Sequence, residues 1–160
     1  MTKARWKIMD RVFLVVLSLI VFFAYMDVKQ ITTFFILNTP EAWNLYNLYT
    51  APAIWSLWYV VLLVIGIIWY VIYNDKSEAI ALVIAGWALI WFGAQDVLYF
   101  IFSGKAMEAS MCWADGMVSI RIISDILGET CPSATSFLLS AIIGVFVSYK
   151  LYGYFKRAKW

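Results

Sequence analysis

Four nearly charge-free runs divide this chain, and short polar segments separate them. Val12 to Met26 is apolar apart from Ser18, and Ala53 to Tyr73 carries no charge at all. The third run, about 79–102, is apolar except around Gln95 and Asp96, and the fourth spans about 136–154. Each is close to the roughly 20 residues that an α-helix needs to cross a ~30 Å hydrocarbon core. The pattern predicts transmembrane helices over about 10–36, 52–73, 79–102 and 136–154. The segment Tyr73 to Glu78 is a tight polar turn, so the second and third helices should be antiparallel neighbours. Thr50 and Pro52 suit the cap and first turn of the second helix. The expected fold is all-α, an integral membrane antiparallel four-helix bundle forming a single domain over 1–160.

Composition supports the membrane reading. The apolar share is 64% and the charged share 14%, against roughly 45–50% and 25% in soluble domains. The basic start followed by an apolar run also fits a cleaved signal peptide. No small-x-small cleavage site follows it, so a first transmembrane helix is the better reading.

Charge sets the orientation. One side of the membrane would hold Lys3, Arg5, Lys7, Arg11, Lys76, Lys150, Lys156, Arg157 and Lys159; the other would hold Lys29, Lys105 and Arg121. The richer side faces the cytoplasm, which places both termini there. The outer face is then acidic, with Glu41, Glu108, Asp115, Asp125 and Glu129. Cys112 and Cys131 both fall in the outer loop 103–135, where an oxidising compartment favours a disulfide between them. Within that loop, 116–128 fits a short amphipathic helix with an Arg121–Asp125 pair at i, i+4, although 118–122 also alternates as a strand does.

The absence of histidine removes most metal and nucleophilic chemistry. With two cysteines and no histidine, haem, non-haem iron and His-ligated zinc sites lack their usual ligands. No Ser-His-Asp or Cys-His set can be assembled, and no phosphate-binding glycine loop is present. No metal, cofactor or nucleic acid is expected.

The intramembrane polar residues are the functional candidates, because a carboxylate in a bilayer costs a few kcal/mol and is seldom without a task or a partner. At ~1.5 Å per residue, about 22 Å of helix separates Val12 from Asp27, and about 25 Å separates Ala79 from Asp96. Both acids should lie in the outer third of the membrane. At 100° per residue, Asp27 shares a face with Val16, Ile20, Phe23, Ala24 and Gln30. Asp96 would share one with Ala85, Ala88, Leu89, Phe92, Gly93 and Tyr99, leaving Trp87 and Trp91 on the opposite side. The second helix offers Trp55, Tyr59, Leu62, Gly66 and Tyr70. An outward-facing pocket follows, with Asp27 and Asp96 as catalytic candidates and Gln30, Trp55, Tyr59, Gln95 and Tyr99 as ligand-binding candidates. Two acids brought close would share a proton there. The segments Phe23–Val28 and Phe92–Val97 also match in pattern, which raises an internal repeat of two hairpins.

Three functions fit. The leading one is binding of a lipophilic small molecule or membrane lipid, with isomerase or cyclase chemistry open to a protonated carboxyl beside aromatic faces. The second is a non-catalytic subunit or assembly factor of a membrane complex, packed through Gly86, Gly93 and Gly144 or forming a homo-oligomer. The third is a small proton- or cation-coupled transporter. Against all three stands a purely structural role for Asp96, a hydrogen bond that fixes helix packing. Met26-Asp27-Val28 late in the first span, with a proline-aromatic entry to the second, is similar to the sterol-isomerase-like membrane family that includes emopamil-binding protein. The family's acidic residue in the second span has no counterpart between Ala53 and Tyr73.

Overall fold

A computed structural model describes the backbone of residues 3–36 and 51–158, and the side chains of 12–29 and 57–158. The expected loop at 38–50, with its capping Thr50, lies outside them. The described residues are all-helical: α1 (Lys3–Ile36), α2 (Ala51–Tyr73), α3 (Lys76–Trp91), α4 (Ala94–Ser103), a 3₁₀ turn at Cys112–Gly116, α5 (Val118–Ile126) and α6 (Ala134–Arg157). Two stretches, Val12–Lys29 and Ala134–Arg157, are long and apolar enough to cross a membrane, and α3 with α4 makes a third if the bent pair counts as one span.

Helix α6 shows how the sequence chooses its inner face. Ser136, Ser140, Gly144, Ser148 and Tyr152 recur every fourth residue and are buried, while Ile142, Phe146 and Leu138 point outward. In water this would be inverted. Small residues inside allow close helix approach when the surroundings are apolar. Gly144 lies so close to α3 that an added Cβ would sit 2.3 Å from Phe92 Cβ. Ser148 Oγ donates to the Ala85 carbonyl at 2.8 Å, tying α6 to α3. Between α2 and α3, Gly66 faces Val83 and Gly86 faces Leu62. Gly86 and Gly144, expected as close-packing positions, are thus taken up by contacts within this chain.

The third apolar run does not form one helix. It breaks at Phe92 and Gly93, and its halves meet at 62°. Gly93 takes a left-handed conformation at φ 74°, which is open to glycine at little cost. The break frees backbone groups, and α5 supplies a partner: Ser119 Oγ donates to the Trp91 carbonyl at 2.6 Å. Ile120 fills the space beside Gly93, within 2.9 Å of where a Cβ would stand. The expected single helix over 79–102 therefore becomes two, held apart by a glycine and by contacts from α5. The matching segments 23–28 and 92–97 consequently differ in backbone, since the first lies in unbroken α1.

The loop between α4 and α6 is closed by the Cys112–Cys131 disulfide, with Cα atoms 4.8 Å apart. The Met111 amide donates to the Pro132 carbonyl at 2.6 Å beside it. The expected amphipathic helix forms as α5, with Ile120 and Ile123 buried. Arg121 pairs with both Asp115 and Asp125 at 2.8 Å, and these carboxylates hold its guanidinium pKa above the ordinary value. Ser133 caps α6 in a capping box with Ser136. Glu129 accepts from the Ser133 hydroxyl and amide, bonds that hold its carboxyl below the usual range.

Where the α2–α3 turn meets the end of α6, Glu78 and Lys156 form an ion pair at 2.5 Å, and Trp69 Nε1 donates to the same carboxylate at 3.3 Å. Ser77 Oγ donates to the Ala158 carbonyl at 2.7 Å. The α2–α3 turn and the end of α6 thus lie together, away from the disulfide loop.

Candidate functional site

Asp27 is buried among the residues its helix face predicts. Val16, Ile20, Phe23 and Ala24 are all buried with it. Trp58 Nε1 donates to one carboxylate oxygen at 3.1 Å, and the Gln95 amide nitrogen donates to the other. Three helices, α1, α2 and α4, therefore meet at one carboxylate. Trp58 is braced in turn by Phe23, whose ring stacks on it at 4.3 Å and 16°.

Next to this clamp is a cavity of about 330 Å³, at the small end of the range that holds drug-sized ligands. Trp58, Tyr59, Trp91 and Trp113 supply aromatic walls, Gln95 and Asp96 supply polar atoms, and residues 116–118 of the loop close one side. The disulfide loop is thus part of the wall. Trp113 packs against Phe137 with ring centroids 5.7 Å apart, and Trp87 Nε1 donates to the Tyr59 carbonyl at 3.2 Å, fixing α2 against α3.

Of the expected site residues, Tyr59, Gln95 and Asp96 line the cavity together. Asp27 stands behind them, in contact with Gln95 and Trp58 rather than in the wall. Tyr99 is not part of the wall, and its ring packs edge-on against Phe100 at 5.6 Å. The side chains of Gln30 and Trp55 lie outside the described ones. Trp91, expected on the opposite side from the pocket, lines it instead. The cause is the break at Gly93: the 100° progression holds only within one helix, so the phase of Trp91 relative to Asp96 is reset.

Trp58 and Trp113 were not expected in the site. For Trp58 the signal was present, since Trp58, Leu62 and Gly66 recur every fourth residue on one face of α2. For Trp113 no periodicity exists to read, because it sits in a loop. Among the described residues, neither Asp27 nor Asp96 joins an ion pair, and no cluster of three potential metal ligands is found.

The fold and this site define an all-helical protein with apolar candidate spans and an aromatic cavity that carries one carboxylate in its wall. No protein-family model matches the chain, and no curated protein or solved structure gives a significant match.

Proposed function

We propose that the protein is a four-span membrane protein whose cavity binds a lipophilic small molecule or lipid on the side away from the termini. The observation that carries this reading is the cavity itself, apolar over most of its wall with two adjacent polar side chains. Sites of that composition hold apolar ligands in a fixed orientation. The two candidate acids divide the work. Asp27 positions Gln95 and Trp58, and Asp96 meets the ligand, where a carboxyl group could also pass a proton in an isomerase or cyclase reaction.

Surface and charge support the membrane arrangement. Large apolar side chains stand exposed along the outer faces of α1, α2 and α6, including Leu14, Ile67, Val71 and Ile142. A soluble monomer rarely exposes contiguous apolar surface on this scale. Lys76, Lys156 and Arg157 cluster near the α2–α3 turn, opposite the acidic disulfide loop, in keeping with cytoplasmic termini. Val118, Ile122 and Ile126 form an exposed apolar stripe on α5, a surface suited to the membrane boundary.

Thermal unfolding of the protein in nanodiscs, across a panel of lipids and lipophilic small molecules, tests ligand binding. A ligand present at about 100 times its Kd stabilises the fold by about 2.7 kcal/mol. We expect at least one class to raise Tm, and Trp91→Ala to abolish the rise. Trp91 is 55% exposed, so its loss should leave the unliganded fold intact. A panel without effect on the wild type, or a rise that Trp91→Ala leaves unchanged, contradicts the assignment.

A further inference from the structure

The polar wall of the cavity is asymmetric, and the asymmetry identifies the chemistry of its occupant. Gln95 is only 4% exposed. Its amide nitrogen donates to Asp27, whose other oxygen already accepts from Trp58. With Asp27 ionised and both its oxygens receiving donors, turning the amide would set its oxygen against a carboxylate oxygen, acceptor against acceptor. Asp27 therefore fixes which end of Gln95 is spoken for. Gln95 Oε1, in the side chain that lines the cavity, has no hydrogen-bond partner among the described residues. A buried acceptor of this kind calls for a donor beyond the described residues.

Asp96 stands beside it in the same wall, also an acceptor when ionised. Around these two lie the rings of Trp58, Trp91, Trp113 and Tyr59. Aromatic faces attract cations through the ring quadrupole, and enclosures of this composition recognise ammonium groups. No lysine or arginine among the described side chains pairs with either Asp27 or Asp96. The site thus offers acceptors, a carboxylate outside the ion pairs of the described residues, and aromatic faces.

We propose that the cavity binds a lipophilic ammonium ion bearing at least one N–H, held between the Asp96 carboxylate and Gln95 Oε1 against the tryptophan rings. This rests on the reading of the cavity as a ligand site and names the ligand class. A neutral alcohol satisfies one acceptor and leaves the charge unmatched. A quaternary ammonium satisfies the charge and the rings but leaves Gln95 Oε1 without a donor.

The test is calorimetric titration of the protein in nanodiscs with octylamine, octanol and octyltrimethylammonium, each corrected for partition into empty nanodiscs. Octylamine should bind about tenfold or more tightly than octanol, the scale of a desolvated ammonium–aromatic contact, and more tightly than the quaternary ion. Asp96→Asn should abolish the preference for amine over alcohol, and Asp96→Glu should retain it. Gln95→Leu should erase the preference for octylamine over the quaternary ion. Equal binding of amine and alcohol, or a preference that survives Asp96→Asn, overturns the ammonium assignment and leaves a lipophilic site standing. Equal binding of octylamine and the quaternary ion overturns the hydrogen bond to Gln95. No saturable binding of any member removes the ligand site as well.

Discussion

Replacing Gly93 with valine is expected to destabilise the protein by about 2–5 kcal/mol, from two sources of comparable size. The residue sits at φ 74°, and a left-handed conformation costs a residue with a Cβ about 1–2 kcal/mol, more when the side chain is β-branched. The new Cβ would also meet Ile120 Cδ1 at 2.9 Å, and overpacking of this kind costs about 1–3 kcal/mol. The two parts separate experimentally. In an Ile120→Ala background the steric part of a Gly93→Ala change should shrink while the backbone part persists, giving a coupling of about 1 kcal/mol in a double-mutant cycle. Reversible unfolding in mixed detergent checks this. Tolerance of valine at 93 with no loss of stability would mean that α3 and α4 run on as one helix, and the site geometry would fall with it.

The second large effect is at Asp27. Cutting it to alanine leaves Trp58 Nε1 and Gln95 Nε2 as buried donors without an acceptor. Each orphaned group costs about 1–3 kcal/mol, whereas an interhelical hydrogen bond in a membrane averages only ~0.6 kcal/mol because the freed groups find new partners. Trp58 is stacked on Phe23 and cannot easily turn away, so the larger figure should govern. We expect a loss of about 2 kcal/mol or more for Asp27→Ala and about 1 kcal/mol for Asp27→Asn, which keeps one acceptor oxygen. In a Gln95→Leu background the cost of Asp27→Ala should fall, since only Trp58 is then left unpaired. An Asp27→Asn protein more stable than wild type would show instead that the carboxylate is a burden on the fold and not its clamp.

Much of this arrangement can be read along the chain wherever a helix is unbroken. The face of α1 that carries Asp27 follows from spacing alone, because nothing interrupts the helix between Val12 and Lys29. The disulfide is legible as well, since the only two cysteines fall in one polar loop. The cavity is harder. Its wall combines residues from both sides of the Gly93 break with a loop tryptophan, and a break resets the angular phase that periodicity depends on. A glycine inside an apolar run has several roles open to it, and here the deciding partners, Ser119 and Ile120, come from a different segment. That long-range contact leaves no local signature. Trp91 enters the wall for the same reason, whereas Tyr99 shares a helix with Asp96 and the break does not account for its place outside the wall.

A lipophilic molecule bound as proposed would enter between the broken helix and the disulfide loop, and photolabelling can locate it there. The protein in nanodiscs would be irradiated with an alkyl diazirine carrying a primary amine, digested, and mapped for adducts by mass spectrometry, with and without excess octylamine. The expected result is adducts concentrated on cavity residues such as Trp58, Trp91 and Met117, suppressed by the competitor. Adducts spread instead over outward-facing residues such as Val71, Ile142 and Phe146, indifferent to the competitor, would contradict it and leave the cavity a packing feature.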